Sequence, residues 1–190
     1  MPRQVKRPNG KEAAIPTLVA ELSEEMQRDT PVSAQPAIVE TQYSTGAIHL
    51  QVVWNRWADV SLWARRETIL LAYEQVSGGE QRQRVKFCAG HTFAEADEAG
   101  FLTFEIVLLL RPDDPVTREQ CHHAMRQIDA PTDSQGTPYL RYPELEIAQS
   151  VKKLLIDRLP QSVNVWAIVQ TVFEEIVQPV RRTFIPVLPE

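Results

Sequence analysis

Cysteine is scarce in this chain. There are two, Cys88 and Cys121, in 190 residues. Two thiols cannot build the disulfide framework of a small secreted domain, and a reducing compartment is their simpler setting. Long apolar runs are missing as well. No run is longer than that at residues 106–110, far short of the roughly 20 residues that a membrane-spanning helix needs. Arg3, Lys6, Arg7 and Lys11 are not followed by an apolar stretch, which argues against a secretory signal. These absences predict a cytoplasmic protein without a membrane segment.

Glycine is also sparse, at seven residues. No loop ends in Gly-Lys-Ser/Thr, no dinucleotide fingerprint is present, and neither a metalloprotease His-Glu-x-x-His nor a Ser-His-Asp elbow occurs. Motifs therefore assign no catalytic residue, no cofactor and no resident metal. Excess positive charge is lacking too: the net charge is −5 and the pI about 5.5. Broad binding to a phosphate backbone needs a basic face, so nucleic acid is not the expected partner.

What is present suits an ordinary folded domain, with 43% hydrophobic and 24% charged residues. Three of the four tryptophans, Trp54, Trp57 and Trp63, fall within ten residues. Ahead of them Ile48, Leu50 and Val52 alternate with polar neighbours at strand spacing. Behind them Trp63, Leu70 and Tyr73 recur at helical spacing. The stretch reads as strand, turn and helix, with the indoles at a junction that forms the centre of the core. The periods turn Trp63 inward. Core packing is the stronger expectation for the indoles and partner contact the weaker; Trp57 is the contact candidate, since Trp and Arg are favoured interface anchors and Arg56 stands beside it.

Other elements follow from local signals. Residues 15–28 form an amphipathic helix with Leu18, Leu22 and Met26 four apart. Docking on its own domain is the stronger expectation for it, docking on another protein the weaker. Residues 37–43 and 48–54 flank Ser44-Thr45-Gly46 as a hairpin. The next helix begins at a Ser61 cap or, equally, at Asp59, and ends at Ser77-Gly78-Gly79. Residues 84–89 alternate as a strand, with Val85, Phe87 and Ala89 on one side. Thr92 and Glu95 make a capping box, and Gly100 closes that short helix. Residues 102–110 read as a central strand. Asp114-Pro115 starts a helix, residues 139–142 form a short strand, and residues 144–159 an amphipathic helix stopped by Pro160. Residues 163–172 are the last strand.

The sequence Ser77-Gly78-Gly79-Glu80-Gln81 resembles the signature motif of ATP-binding-cassette ATPases. Residues 105–110 with Asp113 and Asp114 are loosely similar to their Walker B strand. Such an ATPase requires a phosphate-cradling loop, and Gly10-Lys11-Glu12 lacks both its hydroxyl and its preceding strand. The stretch is read instead as a helix stop and a charged loop.

The expected fold is α/β, with α+β as the near alternative: one mixed sheet of about five to six strands with helices packed on it. Residues 1–36 would be a basic arm and a helix on a linker, 37–172 the globular domain, and 173–190 a proline-containing apolar tail. The expected function is a non-enzymatic interaction or assembly module that contacts a protein partner or another copy through its ends. Leu18, Leu22, Met26, Trp57, Phe184, Ile185 and Val187 are the contact residues. One alternative is a small metal-binding or cysteine-dependent enzyme domain using Cys88, His91, Cys121 and His123. It gathers soft ligands, although adjacent helix residues such as Cys121, His122 and His123 point about 100° apart. Another is a nucleic-acid-associated factor using the basic N-terminus.

Overall fold

The computed structural model describes residues 14–109, 115–133, 135–160 and 163–170. The basic arm, the tail with Phe184, Ile185 and Val187, and Asp113 and Asp114 lie outside the described residues. The chain is a mixed α/β fold, but it does not form one sheet. Two three-stranded sheets stand in its place, ordered β1-β2-β3 and β5-β4-β6.

The first half starts with helix α1 (Pro16–Met26), the hairpin β1 (Ala37–Gln42) and β2 (Ile48–Val53), and helix α2 (Leu62–Arg84). Strand β3 (Val85–His91) then returns parallel to β2. The hairpin closes through a hydrogen bond from the Tyr43 amide to the Ala47 carbonyl, and Gly46 supplies the positive φ of 80° in the turn. Ser61 caps α2 by accepting from the Ala64 amide. The helix does not stop at the Ser77-Gly78-Gly79 sequence. Gly78 breaks it at φ 86°, and a further helical segment carries on to Arg84. Glycine tolerates that left-handed backbone where another residue would be strained, so it serves as a kink rather than an end.

Helix α1 docks on α2. Leu18, Val19 and Leu22 are buried in one cluster with Ile48, Leu50, Val52, Ile69, Ala72 and Tyr73. The Ile15 amide donates to Thr68 Oγ1 at 3.1 Å, and the Ser23 hydroxyl bonds Gln75 at 2.9 Å. These bonds satisfy polar groups that this interface takes from water. The stretch between α1 and β1 is also held. The Ala34 amide and the Ser33 hydroxyl both donate to the Ile128 carbonyl.

The second half contains α3 (Phe93–Glu98), β4 (Phe104–Leu109), α4 (Pro115–Gln127), β5 (Arg141–Tyr142), α5 (Leu145–Arg158) and β6 (Asn164–Gln170). Strand β4 is central and antiparallel to both neighbours. Helix α5 buries Ala148, Val151 and Leu155 at helical spacing, together with Leu159 just past its end. A second core forms here around Phe93, Leu102, Ile106, Cys121, Ile128 and Tyr142, and it reaches Ala37 and Val53 of the first sheet. Among the described residues the two halves therefore share packing but no strand ladder.

Candidate interaction surface

The first sheet has two unlike faces. Ile48, Leu50 and Val52 of β2 point into the α1–α2 core. His49, Gln51 and Val53 point the other way, by the two-residue period of a strand. At one end of that second face, Ala37 and Val53 are sealed by the second core. Among the described residues the hairpin end has no such cover.

Three rings cross the open end. Tyr43 follows β1, His49 lies in β2, and Phe87 pairs with His49 in the register of β3. Ring centroids are 4.5 Å apart for Tyr43 and His49, and 5.4 Å for His49 and Phe87. The Tyr43 hydroxyl and His49 Nδ1 share a hydrogen bond of 3.2 Å. Tyr43 is 46% exposed and Phe87 43%. Arg84 pins the hairpin turn beside them, with Nε donating to the Gly46 carbonyl at 2.8 Å. Contiguous exposed aromatic surface on a rigid sheet is a feature that protein interfaces favour.

Phe87 reaches this face because of a bulge. Ile48 pairs with Val85 and His49 with Phe87, so β3 advances two residues while β2 advances one. The extra residue, Lys86, reverses the alternation. Val85 and Cys88 therefore pack into the α1–α2 core, while Phe87 stands on the opposite face. Sequence alternation had placed Val85 and Phe87 on one side. A ladder spanning residues 43, 49 and 87 has no local signal, since it exists only once β2 and β3 are paired.

The outer edge of β3 is closed at its far end. His91 turns its carbonyl to the Trp54 amide, so Gly90 turns its own outward. There Arg65, a buried residue of α2, donates from Nη1 at 3.2 Å. Its Nε donates to the Val60 carbonyl at 2.7 Å, and its guanidinium grips Glu95 through both carboxylate oxygens. Glu95 also accepts from the Thr92 amide while the Thr92 hydroxyl accepts from the Glu95 amide, completing the capping box of α3. The hydrogen bonds from Arg65 hold the Glu95 carboxyl below the usual carboxylate range.

The structure relocates the indoles. Trp57 is fully buried, its Nε1 donating to the Val52 carbonyl at 3.2 Å, and Trp54 packs edge-on against it. A 3-10 turn, Asn55–Trp57, tucks the ring under α2. Trp63, expected inside, is 47% exposed with Arg66 over its face. The Ser61 cap sets the phase of α2, so Ala64, Thr68, Ile69 and Ala72 face the core and Leu62 and Trp63 do not. Leu18 and Leu22 are likewise interior, and Met26 is half-buried against the same cluster. Leu18, Leu22 and Trp57 are all buried in this one cluster.

Cys88, His91, Cys121 and His123 do not come together. Cys88 belongs to the α1–α2 core and Cys121 to the other. Among the described residues no group of three or more His, Cys, Asp or Glu could hold a metal ion. Burial pushes the Cys88 thiol up to about 12 and the Cys121 thiol to about 11. Thiols so shifted stay protonated near neutral pH, and the thiolate is the nucleophile. His91 packs edge-on against Phe101, with Nε2 buried and unbonded among the described residues. Burial lowers its pKa below the ordinary imidazole value. Among the described residues no helix is long and apolar enough to cross a membrane.

No protein-family model, curated protein or solved structure matches this chain.

Proposed function

We propose that the chain is a non-enzymatic interaction or assembly module of the cytoplasm, engaging a protein partner or another copy of itself. The observation that carries this reading is the Tyr43–His49–Phe87 ladder: aromatic rings, positioned by a hairpin and a paired strand, 46% and 43% exposed at its two ends. Burying two such rings removes a large apolar area from water, worth about 1.5–3 kcal/mol for each fully covered side chain. The protonated state of both thiols favours this reading over cysteine-dependent catalysis. The terminal segments 1–13 and 171–190 would add to the contact made by the ladder.

Removing α1 is a poor test, because it would strip the face of α2 that Leu18 and Leu22 cover. A surface substitution is cleaner. The full chain and its Phe87→Asp variant are compared by hydrodynamic size in extract from the cells that make the protein. The wild type should migrate above its 21.6 kDa chain mass and the variant at that mass, with identical melting curves. Equal sizes for both would contradict the assignment of the ladder.

A further inference from the structure

Arginine in this protein is mostly neutralised in place. Arg28 bridges Glu24 and Glu25, Arg56 bridges Glu21, and Arg65 bridges Glu95. Arg66, Arg82 and Arg141 bridge Glu67, Glu74 and Asp97. Two guanidiniums of the second half break this pattern. Among the described residues Arg126 of α4 makes no hydrogen bond or salt bridge, and Arg158 of α5 donates only to the Leu154 carbonyl, at 3.1 Å. Both line the same cavity, of about 590 Å³, between α4 and the C-terminal turn of α5.

Two imidazoles and a further guanidinium lie on the same helix as Arg126. His123 lines the cavity too, its Nε2 bonded to the Gln127 side chain at 2.9 Å. Arg118, His122 and Arg126 fall at positions i, i+4 and i+8 of α4, which places them along one face. Burial, and then the two guanidiniums beside it, hold the His122 imidazole below its ordinary pKa. Glu119 is the carboxylate on the wall, against two guanidiniums and an imidazole. The rest of the wall is partly apolar, with Val116 63% exposed and Leu159 beneath. In a chain of net charge −5, two guanidiniums that bridge no carboxylate among the described residues, with Glu119 beside them on the wall, make this concave surface suited to an anion.

We propose that this cleft binds a small phosphate monoester, its phosphoryl oxygens held by Arg126 and Arg158 with His123 alongside, and its apolar end on Val116 and Leu159. Guanidinium forks match phosphate geometry two oxygens at a time, which a single ammonium cannot do. The site is separate from the aromatic ladder and does not rest on the interaction reading.

The test is calorimetric titration of the full chain with phenyl phosphate and with inorganic phosphate at low salt. Phenyl phosphate should bind saturably at one site and more tightly than inorganic phosphate. Arg126→Gln and Arg158→Gln should each weaken it about tenfold or more, the worth of a charge-assisted hydrogen bond. Arg126→Lys should recover part of the loss, and Lys152→Gln on the same helix as Arg158 should change nothing. Arg126 and Arg158 are exposed and Lys152 is half-buried, so unchanged melting curves certify folded variants. Absence of saturable phenyl phosphate binding would overturn the proposal. So would binding that the Arg126→Gln, Arg158→Gln double variant retains, or equal affinity for the two probes.

Discussion

Arg65 and Gly90 meet twice. The guanidinium of Arg65 donates to the Gly90 carbonyl at 3.2 Å, and a Cβ placed on Gly90 would lie 3.1 Å from the Cβ of Arg65. Ile69 Cδ1 and Trp57 Cε2 would stand 3.1 and 3.2 Å away. Helix α2, the buried indole and strand β3 thus close on a point where a methyl group would crowd all three. Gly90→Ala should destabilise the fold by about 1–3 kcal/mol, the usual cost of overpacking. A lower urea midpoint with an unchanged slope would show it.

Glu95 makes this joint sensitive to pH. Its carboxyl is held below the usual range, so the folded chain takes up that proton less readily than the unfolded chain. The stabilisation is complete above the unfolded value, about 4.3 for glutamate, and is lost as pH falls through the lower folded value. Glu95→Gln leaves the Arg65 charge buried without its partner, although Glu95 itself is 43% exposed. The variant should lose about 1–3 kcal/mol at pH 7. Urea melts from pH 7 to pH 3 should show the gap between wild type and variant closing only at the acid end.

The indoles give a contrast within one short stretch. Trp57→Ala empties a fully buried site and should cost about 3–5 kcal/mol. Trp63→Ala removes a ring that is 47% exposed and should cost less than about 1 kcal/mol. Chemical denaturation of the two variants side by side checks the order, and a reversed order would contradict the packing described.

Cys88 and Cys121 should resist alkylation at pH 7.5 in the native protein, since burial keeps both thiols protonated. Mass spectrometry after iodoacetamide should find both unmodified until denaturant is added. Rapid native labelling of Cys88 would revive a catalytic reading of that residue.

Local features were the legible ones. The Ser61 cap, the Thr92–Glu95 capping box, the hairpin around Gly46 and the buried stripe of α5 each arise from residues within a few positions of one another. Pairing between distant strands is not local, and alternation alone predicted one sheet where two exist. The faces of α2 were hidden for a related reason. Arg65 and Thr68 are polar, yet each is buried because a distant partner meets it: Glu95 for Arg65, the Ile15 amide for Thr68. The ladder depended on a bulge at Lys86 that one strand does not reveal by itself.

The most direct test of the interaction surface is photo-crosslinking from its centre. A benzophenone amino acid at position 87 of the full chain, irradiated in the cells that make the protein, should give one discrete adduct. The same probe at position 156 of α5, which is also exposed, should give none of that mass. A product at twice the chain mass identifies a second copy, and another defined mass identifies a foreign protein. If position 87 yields no adduct, or no more than position 156, the ladder is not a docking surface.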